Sequence, residues 1–130
     1  MGLNRIVVEN LLKTNVIEMV WVRRTPKAGA SGIRRALATN NYAMLNSRMG
    51  VNVLHFHPPV GRKHIDMSKY NLSTYWDLFR QDYRNAPCDT MQIVKTIPLG
   101  SPQAIDDWWE YFQTYVANMT TSERALFMEG

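Results

Sequence analysis

Five side chains in the middle of the chain belong to the types that bind metal ions. They are His55, His57, His64, Asp66 and Cys88, and the first two would project to one side of a strand. Zinc sites usually pair their ligands at tighter spacings, such as two cysteines two residues apart. A His-x-His pair on an isolated strand is more often polar surface or half-buried structure. We therefore predict no metal and no other cofactor.

Cys88 is the only cysteine, so no intramolecular disulfide framework exists. A catalytic thiolate needs a nearby base and an electropositive pocket. Cys88 instead lies between Pro87 and Asp89, and an acidic neighbour raises the pKa of a thiol. A buried structural cysteine is the better interpretation.

Two carboxylates, Asp77 and Asp82, flank a predicted turn. They could act as a catalytic pair. The alternative, which we favour, is that they accept hydrogen bonds from turn amides or pair with Arg80 and Arg84. No phosphate-binding glycine loop or nuclease signature is present. The sequence therefore predicts a protein that is not an enzyme.

Basic residues are concentrated in one half of the sequence. The net charge is +4, but residues 1–64 hold ten Lys and Arg against two Glu, whereas residues 65–130 hold five against nine acidic residues. A basic face could bind a polyanion; the alternative is a solvated surface whose charges pair across the fold. The candidate nucleic-acid-binding residues are Arg23, Arg24, Lys27, Arg34, Arg35, Arg62 and Lys63.

The elements that would position these residues begin with an amphipathic helix over 3–13, although Val7-Val8 leaves a strand open. Two strands, Val16–Arg24 and Ile33–Ala38, then form a long hairpin with a basic base. Further along, we expect a short helix or structured loop at 40–48, a third strand at Val51–His57 and a long connection at 58–72.

The stretch from Thr74 to Ile97 reads as strand, tight turn at Arg80-Gln81, strand, one 3₁₀ turn and a last strand. Pro87 ends the second of these strands because proline removes a backbone donor. Small SH3-like and Sm-like barrels close with this succession. After it, Ser101 and Pro102 begin a helix whose apolar face includes Trp108, Trp109 and Phe112, and a final short helix extends through Met128.

The stretch T-Y-W-D-L-F-R-Q-D-Y-R-N-A-P-C-D-T-M-Q-I-V-K-T-I, after an opening hairpin and an insertion, resembles a family of small phage proteins described as WYL-related, Sm-like SH3-type β-barrels. Trp76-Asp77, Tyr83-Arg84, Cys88-Asp89-Thr90 and Ile93-Val94 carry the resemblance. It covers about residues 16–97, and the insertion at 39–72 and the tail from 101 depart from it. The resemblance implies a viral origin, a barrel and a binding role.

These observations predict one α+β, mainly β domain: an SH3/Sm-like barrel over about 16–97 with a helical extension over about 101–128. Trp21, Tyr42, Tyr70 and Tyr75 lie near basic segments, where exposed rings would suit base stacking. Each is individually more often a packing residue.

The predicted function is nucleic-acid binding, to DNA or RNA, through the basic hairpin and loop. The alternative is a protein-interaction module that inhibits or redirects a host factor. With no apolar run near the ~20 residues that cross a bilayer and no secretory signal, we expect a cytoplasmic protein with no membrane partner. The oligomeric state stays open.

Overall fold

The computed structural model describes residues 3–24, 32–57, 67 and 69–128. Helices and strands alternate along the chain in an α+β arrangement. The elements are α1 (Arg5–Thr14), β1 (Asn15–Val22), β2 (Ile33–Thr39), α2 (Tyr42–Leu45), α3 (Arg48–Val53), β3 (Leu72–Asp77), β4 (Asp82–Pro87), a 3₁₀ turn (Cys88–Thr90), β5 (Gln92–Pro98), α4 (Pro102–Ala117) and α5 (Thr121–Met128).

The five strands form one antiparallel sheet in the order β4-β3-β2-β1-β5. The predicted closed barrel is not confirmed, because the sheet stays open and β4 and β5 are its edges. The 3₁₀ turn between these strands contacts the end of β1 instead. The Thr90 hydroxyl accepts from the backbone N–H of Val22 (3.1 Å) and donates to its carbonyl (2.9 Å).

Alternating side chains give the sheet two packed faces. On β1, Val16 belongs to one core, whereas Ile17 and Met19 belong to the other. We name these the α4-side core, which contains Trp108 and Phe112 of α4, and the α1-side core, which contains residues of α1. This double burial explains why both faces of β1 are apolar in the sequence.

The predicted third strand at Val51–His57 is wrong, because its first residues belong to α3. The Ser47 hydroxyl caps that helix by accepting a hydrogen bond from the Gly50 N–H (3.2 Å). Val51 is exposed. The backbone then leaves the helix through His55, whose φ of 54° lies in the left-handed region and interrupts any extended run. Helix capping therefore outweighed the alternation of apolar residues.

Candidate functional site

A pocket of about 280 Å³ opens at one end of the α1-side face of the sheet. Its lining combines arginines with two aromatic rings and one carboxylate. These residues are Trp21, Arg23, Arg34, Arg35, Tyr75, Asp77, Arg80, Arg84 and Asn85. We call it the arginine pocket.

Strand pairing brings the arginines together from distant parts of the chain. Arg34 lies directly opposite Trp21 in the β1–β2 ladder, and Arg84 lies opposite Tyr75 in the β3–β4 ladder. Directly opposed residues of an antiparallel pair share a face of the sheet. Arg80 arrives from the turn between β3 and β4, so the pocket draws on four strands and one turn.

Two aromatic rings form the floor of the pocket. Trp21 and Tyr75 meet edge to face, with ring centroids 5.6 Å apart and an interplanar angle of 72°. Both side chains are buried and belong to the α1-side core. They therefore pack against each other, and their faces are not free to stack on bases; Tyr42 and Tyr70 are the exposed members of the predicted stacking set.

The guanidinium groups of the pocket repel one another. The pKa of Arg34 is lowered, first by burial and then by the positive charges of Arg23, Arg80 and Arg84. Within the described residues, the side chains of Arg23 and Arg84 have no hydrogen-bond or ion-pair partner. An anion entering the pocket would relieve this repulsion.

Arg35 makes an ion pair across the β1–β2 hairpin. Its Nη1 donates to Oε2 of Glu18 on the neighbouring strand, which offsets its charge. The repulsion at Arg34 comes from the other three arginines, Arg23, Arg80 and Arg84.

Asp77 is the one carboxylate among the described residues that line the pocket, and it is buried. Its Oδ1 accepts hydrogen bonds from the backbone N–H groups of Phe79 (3.0 Å) and Arg80 (2.9 Å). Its Oδ2 lies 3.7 Å from Nε of Arg80. These contacts confirm the predicted role of Asp77 in holding the turn. Burial nevertheless raises its pKa to about 6, against an ordinary 3.8, and the hydrogen bonds and Arg80 only moderate that rise.

The raised pKa of Asp77 predicts that stability falls as the pH rises from about 4 to about 6. In that window the folded protein holds a proton that the unfolded chain has released, which amounts to about 3 kcal/mol in the free energy of unfolding. Urea unfolding across this range should show the decrease. Asp77→Asn should remove it, because an amide oxygen still accepts from both backbone N–H groups. Asp82→Asn, an exposed change beside the same turn, should retain it; the same slope in Asp77→Asn would contradict the assignment.

The predicted basic residues divide between the pocket and other places. Arg23, Arg34 and Arg35 line it. Arg24 does not, and its Nη2 donates to Oδ1 of Asp89 at 2.5 Å instead. Lys27, Arg62 and Lys63 lie outside the described residues.

Sequence reasoning missed Arg80 and Arg84 as members of the arginine pocket. It considered them only as partners of Asp77 and Asp82, because they belong to the acidic half of the chain. On β4, Tyr83 is buried in the α4-side core, so the next residue, Arg84, lies on the opposite face of the sheet. Tyr75, which pairs with Arg84, lies on that same face. The alternation of apolar and polar residues along β4 was the sequence signal for this placement.

The described residues do not form the arrangement that a metal site or a catalytic thiol would need. Among them, no group of three or more His, Cys, Asp or Glu could hold a metal ion, and His64 and Asp66 lie outside the described ranges. The ring of His57 packs edge to face on Trp76 at 4.9 Å. Cys88 is buried, and its thiol pKa is raised by burial and then by Asp89, as its interpretation as a structural residue predicts.

Comparisons with protein families, with characterised proteins and with solved structures find no match to this chain. Across the part of the chain that the structure describes, no helix is both long enough and apolar enough to span a membrane. The arginine pocket is therefore considered on its own geometry.

Proposed function

We propose that this protein binds nucleic acid, without catalysis, through the arginine pocket and the basic chain around it. The observation that carries the proposal is the pocket lining: β2, β4, the β3–β4 turn and the residue after β1 bring five guanidinium groups together, with one carboxylate among the described residues. A folded protein rarely gathers like charges without an ionic partner, because their mutual repulsion is unfavourable. Arginine also matches phosphate geometry, since two of its N–H groups can donate in parallel.

The surrounding sequence supports the same ligand. Arg23 directly follows β1 and Arg34 lies near the start of β2, and the segment 25–31 that connects these ends contains Lys27. The first half of the chain carries a net charge of +8. Lys27 and the net charge of the first half would add to the attraction of the protein for a polyanion.

The proposal includes a relationship to SH3-like and Sm-like barrels, of the phage type that the sequence resembles. Two features support it: β1 lies between β5 and β2, and a 3₁₀ turn separates the last two strands. Small barrels of this kind bind both nucleic acids and proteins, so the fold does not choose between these partners.

Fluorescence anisotropy with labelled single-stranded DNA, duplex DNA and RNA tests the function. If about four phosphates are neutralised on a single strand, affinity should fall roughly fiftyfold between about 50 and 200 mM salt. Strand preference would then identify the substrate. Absence of binding to all three at low salt would contradict the proposal and favour the interaction module, which a host-protein complex resistant to nuclease would support.

A further inference from the structure

The arginine pocket is closed at its inner end. Trp21 and Tyr75 cover that end, at 6% and 2% exposure, and side chains of the α1-side core lie directly behind them. A chain therefore cannot pass through the pocket; it can only enter and stop, or cross the mouth.

The pocket is also larger than the phosphate group that its arginines would bind. A volume of about 280 Å³ corresponds to roughly nine water molecules at liquid density. This space accommodates a phosphate together with part of the sugar attached to it. A phosphate within a continuous strand has a nucleotide on each side, and both would have to leave through the same mouth.

The positive charge of the pocket also favours a terminal phosphate over a phosphate within a strand. Among the described residues, five guanidinium groups line it, two of them close to a carboxylate: Arg35 beside Glu18 and Arg80 3.7 Å from Asp77. A phosphomonoester carries about −1.5 to −2 charge at neutral pH and presents three acceptor oxygens. A phosphodiester carries a single negative charge and so offsets less of the repulsion among these arginines.

We propose that the arginine pocket binds the terminal phosphomonoester of a nucleic-acid strand, with Arg34 and Arg84 as its principal ligands. Each lies directly opposite Trp21 or Tyr75 in its ladder, so each shares a face of the sheet with the ring that it opposes. Arg23 and Arg80 also line the pocket. This inference rests on the proposed nucleic-acid binding and narrows it to strand ends.

The test compares oligonucleotides of one sequence that differ only at their ends: 5′-phosphate, 3′-phosphate, or hydroxyl at both ends. Each is titrated as a competitor against a labelled strand bound to the whole protein. One of the phosphorylated strands should compete at least about tenfold better than the hydroxyl strand, because the terminal group adds charge-assisted hydrogen bonds. The better competitor identifies which end is bound.

A matched pair of variants distinguishes binding in the arginine pocket from general attraction to the positive charge of the protein. Arg84→Gln alters an exposed residue of an edge strand and should abolish the preference for the phosphorylated end. Arg48→Gln, an equal charge change at an exposed position on α3, should retain it. Thermal unfolding of both variants checks that each is folded.

The outcomes test the end-group inference separately from the proposed nucleic-acid binding on which it rests. Equal competition by all three strands would overturn the end-group inference and leave nucleic-acid binding intact. No binding of the labelled strand itself at low salt would overturn both. A nucleoside monophosphate that competes as well as the phosphorylated strand would overturn the assignment to strand ends, because the ligand would then be a free nucleotide.

Discussion

Replacing both Arg34 and Arg84 by glutamine is expected to weaken nucleic-acid binding by at least about a hundredfold at low salt. Each side chain would supply a charge-assisted hydrogen bond to phosphate, worth about 1.5–3 kcal/mol, and tenfold in affinity corresponds to about 1.4 kcal/mol. The slope of log affinity against log salt should also decrease, because two positive charges that would neutralise phosphate are removed. Anisotropy titrations at several salt concentrations measure both quantities.

The matched control is the Lys13→Gln, Arg48→Gln variant, which removes the same charge from two exposed positions outside the pocket. It should lose only the small affinity that long-range attraction provides. Equal losses in the two double variants would mean that net charge, and not the pocket, governs binding. Unchanged binding in the pocket variant would contradict its role directly.

Local signals predicted much of the fold. The Ser101 hydroxyl accepts from the Ala104 N–H, and α4 begins at Pro102 as its capping pattern indicates. The 3₁₀ turn at Cys88–Thr90 also comes directly after the strand that Pro87 ends, as predicted. Each of these elements depends on interactions within a few residues, which the sequence displays directly.

The arrangement of the pocket could not be predicted in the same way, because it depends on where two strands separate. In the β2–β3 ladder only Ala38–Asp77 and Thr39–Trp76 are paired. The earlier part of β2 therefore runs beside the β3–β4 turn, which is how Arg34 and Arg80 come to line one cavity. No local pattern specifies such a short ladder.

The error at Val51–His57 has a related cause. Val51, Val53 and His55 alternate with other residues as in a strand, yet the residues that become buried are Leu54 and Phe56. They pack in the α4-side core beside Trp76. Burial of these two side chains, together with the Ser47 cap, stabilises a short helix followed by a sharp change of direction.

Trp76→Ala is expected to have the largest effect on stability, a loss of about 3–5 kcal/mol in the free energy of unfolding. Trp76 is fully buried, and its ring meets those of Phe56 (5.1 Å), His57 (4.9 Å) and Tyr83 (5.0 Å) edge to face. Removing it leaves a cavity where three aromatic contacts converge. Because domains of this size are usually stable by about 5–15 kcal/mol, urea unfolding should show a markedly lower midpoint.

Trp76→Phe distinguishes ring packing from hydrogen bonding at this position. The indole Nε1 of Trp76 is buried and has no hydrogen-bond partner among the described residues. Phenylalanine therefore removes an unsatisfied donor while it keeps an aromatic ring, and the loss should stay below about 2 kcal/mol. Tyr70→Ala, at an exposed aromatic, should change stability by no more than about 0.5 kcal/mol. Equal losses in Trp76→Phe and Trp76→Ala would mean that Nε1 makes an essential hydrogen bond, contrary to this account.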